Sequence, residues 1–424
     1  MPIPTPVPRL IQGLRAPVKG LTGPWVHKYP HFAVPEPAIG FLQECLHWWD
    51  QWLKGIETGA MAEPAYRAYM QESAPPRAYY ETREGRWIAE PVWPSPNITP
   101  KTYVLNPGAL AETAAPEQAL TLASPQTTGA AGGEFCVIWL GPEMPVDQRP
   151  DDAGSLVFDS PPLTERLEIF GAPVATLDLG VDQPVALIAV RLCDVAPDGA
   201  STRVTYGVLN LTHRDGHEHP TPLVPGERYR VRVQLDDIAH AFPPGHRIRL
   251  AVSTAYWPLV WPSPRPVMLT LYSGASTLDL PVRPPRSEDL RPFEPPESAP
   301  PLALEFLRAA ANRRTIETDL ANGETILRIV DDFGEARDPD HGLVAGSVAR
   351  ETYRIHPDDP LSARAEAHWT QTLARDAWRV RTEVRSVMTA DATHFHVHAN
   401  LAAFEGDTRI FDRTWDRKIP RDLV

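Results

Sequence analysis

The sequence predicts a mainly β protein built around a two-sheet β-sandwich, and three observations carry that expectation. The first is proline: 48 of 424 residues, about twice an ordinary share, favour turns and strand edges over helices. The second is period. Segments 135–140, 166–171, 174–180, 185–192, 203–211, 228–235, 247–254, 267–272 and 276–282 alternate polar and apolar residues or run apolar for a strand's length, between Pro, Gly and Asp turns. In 228–235, for instance, Tyr229, Val231, Val233 and Leu235 share one face while Arg228, Arg230, Arg232 and Gln234 share the other. So many successive strands imply two packed sheets, a jelly roll. The third is a break at 281–301, "PVRPPRSEDLRPFEPPESAPP", which is charged, proline-rich and without period. It reads as an extended linker between domains.

The elements follow in order. Residues 9–15 form a short helical piece and 18–22 a strand. A long helix is predicted over 36–54: Glu36 and Pro37 open it, Lys54 and Gly55 close it, and Ala38, Leu42, Cys45, Trp49, Trp52 and Leu53 recur at helical spacing. From about Tyr66 the period changes to two, so 61–285 is assigned to the sandwich and 286–302 to the linker. Beyond it, 314–320, 324–332, 349–355, 363–373, 377–386, 393–401 and 408–415 are strands joined by short polar turns such as Ala321-Asn322-Gly323. They make 303–424 an antiparallel meander.

Charge limits the partners. With 41 Lys and Arg against 54 Asp and Glu, the net charge is −13, spread without a long basic run. That argues against nucleic acid and against an anionic membrane surface, and favours a small neutral or cationic substrate. Cys45, Cys136 and Cys193 are odd in number, far apart and without metal-type spacing, so no disulfide framework is expected and a reducing compartment fits. The N-terminus "MPIPTPVPRLIQGLRAP" shows no apolar signal core and no run of about twenty apolar residues. The chain reads as cytoplasmic, and no cofactor is expected.

One short stretch carries chemistry. In "LTGPWVHKYPHF" (21–32) an apolar run stops at Gly23-Pro24-Trp25 and delivers His27 onto a loop, where side chains are available for reaction. The order strand, "GPWVH", Trp-rich helix ending "WWDQWLKG", then "LVFDSPPLTERLEIFGAP", "VRLCDVAPDGAS" and "PLVPGERYRVRVQLDDIAHAFPPGHRIRLAVSTAYWP" resembles the C-terminal part of the CocE/NonD serine hydrolases. These are relatives of the X-prolyl dipeptidyl aminopeptidases, and the resemblance covers roughly residues 9–285. It implies an α/β-hydrolase domain carrying Ser, Asp and His in chain order, with a jelly roll of galactose-binding-like type after the histidine. Residues 1–60 would then be the C-terminal remnant of the hydrolase domain, and His27 its general base.

The rest of that triad is not in the sequence. No G-x-S-x-G occurs: "GASTR" (199–203) and "GASTL" (274–278) lack the closing glycine, and no Asp precedes His27. The chain therefore resembles the distal part of a hydrolase whose nucleophile, oxyanion hole and acid are encoded elsewhere or lost. Alone it is expected to be inactive. In the complete enzyme the substrate would be a small ester or peptide, and the partner an α/β-hydrolase half encoded upstream. The alternatives are a non-catalytic jelly-roll module holding a carbohydrate or other small ligand, or a decayed gene fragment.

Other residues carry a functional and a plain reading. Trp25, Trp257 and Trp261 are candidates for a substrate pocket; for Trp257 and Trp261 the plain reading, covering a sheet edge, is the favoured one. His31 reads as a loop histidine. His394, His396 and His398 share a strand face that a metal could use, but a solvated face is expected and no metal is assigned. Cys45 and His47 are two apart on a helix and do not face each other. "DVAPDG" (194–199) is acidic enough for calcium but lacks a dedicated spacing, and is expected to be a turn with Gly199 at positive φ.

Overall fold

A computed structural model describes residues 6–138, 141–289 and 292–424. Among the described residues the strands form two sheets, one of sixteen strands and one of eight. In the first, Ser201–Asn210, Leu187–Val195, Arg247–Ser253 and Leu156–Asp159 pair antiparallel as one arm. The other arm pairs Val174–Val181 with Tyr229–Gln234 and with Leu269–Tyr272. Ile188, Val190, Leu250 and Val252 of the first arm meet Leu177, Leu179, Val231 and Leu269 of the second in one buried cluster. The sheet thus curls over itself into a sandwich. The alternation predicted near 228–235 is present, with Val231 and Val233 buried and Arg230 and Arg232 exposed.

Leu187–Val195 is buried at every position, because a charged layer covers the face that does not meet the apolar core. Fully buried Arg191 reaches Asp152 (3.1 Å) and Gln148 (3.1 Å) there. The opposite charges of Arg191 and Asp152 offset the cost of burying them, although Arg191 Nε has no hydrogen-bond partner.

The N-terminal segment departs from the prediction in detail. Its elements are a helix Pro6–Gly13, a strand Gly20–Thr22 and a helix Phe41–Leu53. The long helix begins five residues later than the pattern suggested. Pro35 and Pro37 disfavour helical backbone in the residues before them, and Glu36 instead bridges to Thr82. Gly20–Thr22 lies parallel to Tyr66–Glu72, which attaches this segment to the sandwich.

Two further features matter for function. Residues 135–138 form no strand; their backbone groups serve a loop, and Trp139 and Leu140 of the predicted strand lie outside the described residues. The stretch read as an extended linker is fastened at several points. Arg283 binds Glu90 (2.5 Å) and Asp289 (2.9 Å), the Phe293 ring sits edge-on 4.6 Å from Trp87, and the Glu294 carbonyl accepts from the Gly40 amide (2.8 Å).

The second sheet is an antiparallel meander running to Thr408–Pro420, its outer strand. Trp257, Ile355 and Ala363, with Trp261 and Tyr353 beside them, form the apolar joint between the two sheets.

The helix Phe41–Leu53 has no fully buried residue, and Leu42, Leu46, Trp49 and Leu53, one stripe at helical spacing, are 44–76% exposed. Hydrogen exchange should therefore show the amides of 41–53 opening orders of magnitude faster than those of 187–195. Equal protection would mean that another surface covers the stripe in solution.

Candidate functional site

The loop that carries His27 is built by its own sequence. A Cβ on Gly23 would stand 2.5 Å from the Trp25 indole, so only glycine lets the ring fold back over the turn. Trp25, 7% exposed, donates from Nε1 to the Pro37 carbonyl (2.8 Å) and packs 5.8 Å from Trp87. The Val26 amide donates to Val34 O (2.9 Å) and the His27 amide to Val137 O (2.9 Å). The backbone is pinned on both sides while the imidazole stays exposed. Among the described residues no side chain hydrogen-bonds that imidazole, so it stands as a base without an acid or a nucleophile beside it.

His31 differs. Its ring is parallel to Phe41 at 6.3 Å and edge-on to Phe32 at 4.7 Å, which makes it a packed loop histidine. Segment 134–138 is the neighbour of His27 that the sequence did not reveal, since its apolar run has the length of a strand. It presents Phe135, 64% exposed, on the loop that meets His27 through Val137.

Behind Trp25 lies a cavity of about 260 Å³. Trp25, Tyr66, Tyr69 and Phe170 supply rings to its wall, and Asp237, Arg203 and His240 supply polar groups. His27 is not among the lining residues. Asp237 is 7% exposed, and burial pushes its carboxyl up to about 7, opposed by the Arg9 charge and reinforced by Asp236. His240 is held from behind: its Nε2 is 3.1 Å from one oxygen of Asp194, whose other oxygen is 2.7 Å from His246 Nδ1. Burial alone would push Asp194 up, but hydrogen bonds from His240, Ser73 and His246 outweigh it and hold the carboxyl below its usual range. Of the acidic run 194–199, Asp194 is accordingly spent inside the fold while Asp198 stays exposed. Gly199 has φ +87° and Asp198 accepts from the Ala200 amide (3.0 Å), so it is a turn.

The structure does not bring Trp257 and Trp261 to this cavity. They stand edge-on to each other at 5.3 Å and face Tyr353 (6.2 Å) and Phe395 (6.0 Å) of the second sheet. Of the three tryptophans weighed as pocket residues, Trp25 alone lines the cavity. The strand histidines have separate partners: His396 with Asp391 (2.8 Å), His398 with Asp416 (2.7 Å) and His394 with Thr393 (2.9 Å). Among the described residues no set of three or more His, Cys, Asp or Glu stands ready for a metal ion, and no helix is long and apolar enough to cross a membrane.

The turn that carries His27 thus stands ahead of a curled β-sandwich in the chain. Residues 58–287 match the family described as the X-Pro dipeptidyl-peptidase C-terminal non-catalytic domain, just over half of the chain. The chain belongs to this family, as a C-terminal part of the CocE/NonD-type hydrolases. A Mycobacterium bovis protein that carries the name of a serine esterase is 28% identical over 274 residues, 55% of this chain and 40% of its own length. Cocaine esterase of a Rhodococcus species is 26% identical over 186 residues, 41% of this chain and 32% of its own length. A crystallised aminopeptidase from a Thaumarchaeota archaeon is 20% identical, with a TM-score of 0.49, over 63% of this chain and 49% of its own. The chain thus spans 40% or less of the length of these two curated relatives.

The buried carboxyl makes a pH prediction. An unfolded Asp titrates near 3.9, and Asp237 in the fold near 7. The folded state therefore holds a proton that the unfolded chain releases, and stability falls as pH rises through that window by up to a few kcal/mol. Asp237→Asn should have a higher Tm than the parent above about pH 7 and the same Tm near pH 4. A difference that does not vary with pH would show Asp237 titrating alike in the folded and unfolded states.

Proposed function

We propose that the chain is the C-terminal portion of a serine hydrolase acting on ester or amide bonds, with His27 as its general base. The serine, oxyanion hole and acid are supplied by residues outside these 424. The setting of His27 carries this reading: an exposed imidazole on a turn pinned through Trp25, Val26 and its own amide, directly ahead of a sandwich of this family. There it would take the proton of the serine hydroxyl during attack on the carbonyl and return it to the leaving alcohol or amine. The acid would hold the imidazole in the required tautomer.

The names of the relatives, serine esterase, cocaine esterase and Xaa-Pro dipeptidyl-peptidase, favour a small ester or a peptide as substrate. The partner is an α/β-hydrolase half, encoded upstream, that covers the apolar stripe of Phe41–Leu53. A cytoplasmic setting belongs to the proposal and is supported by three unpaired cysteines. The aromatic cavity behind Trp25 favours a second reading, a module that holds a small ligand without cleaving it.

Two measurements test the first reading. The isolated chain should not turn over p-nitrophenyl acetate or Ala-Pro-p-nitroanilide above the buffer rate, because a base without its nucleophile contributes almost nothing. Turnover that disappears with His27→Ala would place a nucleophile inside this chain and overturn it. Co-expressed with the upstream hydrolase portion, the chain should give an active complex that His27→Ala slows by about 10⁴-fold without separating the two polypeptides. An inert complex would leave the binding reading in its place.

A further inference from the structure

The loop that follows the strand Ser201–Asn210 reads "LTHRDGHEHP" (211–220), with three histidines and two carboxylates in ten residues. It is built more firmly than its exposure suggests. Asn210 Oδ1 accepts from the Thr212 amide (3.1 Å) and opens a short helical turn, Leu211–His213. Gly216 has φ +144°, a conformation that side chains disfavour, and its amide returns to His213 O (3.0 Å). Arg214 Nη1 donates to the Thr221 carbonyl (2.9 Å) and lies over the Tyr229 ring at 4.6 Å, while the Thr221 amide closes the loop on Thr212 O (2.8 Å).

This folding turns His217 back onto His213. The two Nδ1 atoms are 3.1 Å apart and the ring centroids 5.2 Å apart. Zinc–imidazole bonds of about 2.0–2.1 Å separate two nitrogens on one ion by roughly 2.9–3.4 Å, depending on the angle at the metal, and put the ring centres about 5 Å apart. The same contact without a metal needs one imidazole to carry its proton on Nδ1 and donate it to the other.

The geometry points to a zinc site on this loop, with Nδ1 of His213 and Nδ1 of His217 as its protein ligands. Neutral imidazole nitrogen is a preferred donor for such a borderline divalent ion. No third protein ligand stands in place among the described residues. The remaining positions fall to water and to the side chains of Asp215, Glu218 or His219, which are 80–90% exposed and reach the ion by a rotamer change. The role is structural. Asn210 Nδ2 holds the Leu423 carbonyl (2.7 Å), three residues beyond the second sheet's last strand, Thr408–Pro420, so an ion that stiffens 211–217 also stiffens the place where residues 421–424 are fastened to the sandwich.

The test uses the full chain, stripped of metal with a chelator and titrated with zinc chloride by calorimetry. One equivalent should bind with a dissociation constant of about 10 μM or tighter and raise Tm, while magnesium does neither. His213→Ala and His217→Ala should each weaken binding by roughly 100-fold and abolish the Tm shift, whereas His396→Ala should change neither. Cobalt in place of zinc should show the visible absorption of a nitrogen-ligated ion, lost in the same two variants. Absence of binding at about 100 μM zinc would leave a hydrogen-bonded pair only and overturn the site. So would several weak equivalents that His217→Ala leaves unchanged, the behaviour of ordinary surface imidazoles.

Discussion

The guanidinium of Arg283 is the fixed point to which the functional end of the molecule is referred. Arg283 follows directly on the last sandwich strand, Thr277–Val282, and has no exposed surface. Its charge is met by Glu90, also fully buried, and by Asp289, 2% exposed. Losing Arg283 would leave two interior carboxylates without the cation they share, at a cost of about 3–5 kcal/mol, so the three segments are locked together. Residues 293–295 are held in turn. Phe293 meets Trp87, the Glu294 and Pro295 carbonyls accept from the Gly40 amide and the Gln43 side chain, and Trp87 in turn touches Trp25. An ion cluster at the end of the sandwich thereby decides where the turn carrying His27 lies.

Legibility in the sequence followed solvation. Tyr229–Gln234 could be read because one face meets water and the other the core, which forces Val and Arg to alternate. Ile238–Phe242 could not, because all five residues are buried and leave no alternation to see. The helix was placed correctly by its apolar spacing and misplaced at its start, where prolines override a helical pattern. Segment 135–138 has the composition of a strand, but Gly132 and Gly133 on one side and Pro142 on the other leave it no ladder. The exposed loop position of His27 was legible from five consecutive residues. The pairing of Asp194 with His240 and His246 was not, since it joins positions 46 and 52 apart that only the sheet brings together.

The joint between the two sheets shows how the second reaches the neighbourhood of His27. The indole nitrogens of Trp257 and Trp261 have no partner there, a penalty of about 1–3 kcal/mol each. Burying an indole of about 150–250 Å² at about 25 cal/mol/Å² contributes about 4–6 kcal/mol, so the apolar term wins and the joint is held by area. Polar contacts then fix its orientation: the Gln126 amide donates to Pro357 O (2.8 Å), Arg421 donates to the Pro262 carbonyl, and Arg314 pairs with Glu134. Gln126 and Glu134 both lie on the segment that runs on to Val137, whose carbonyl accepts from the His27 amide. A shift of the second sheet would therefore be felt three residues beyond Glu134, at the backbone of His27. The C-terminal meander, which lies beyond the matched family region, is in this way part of what positions the histidine.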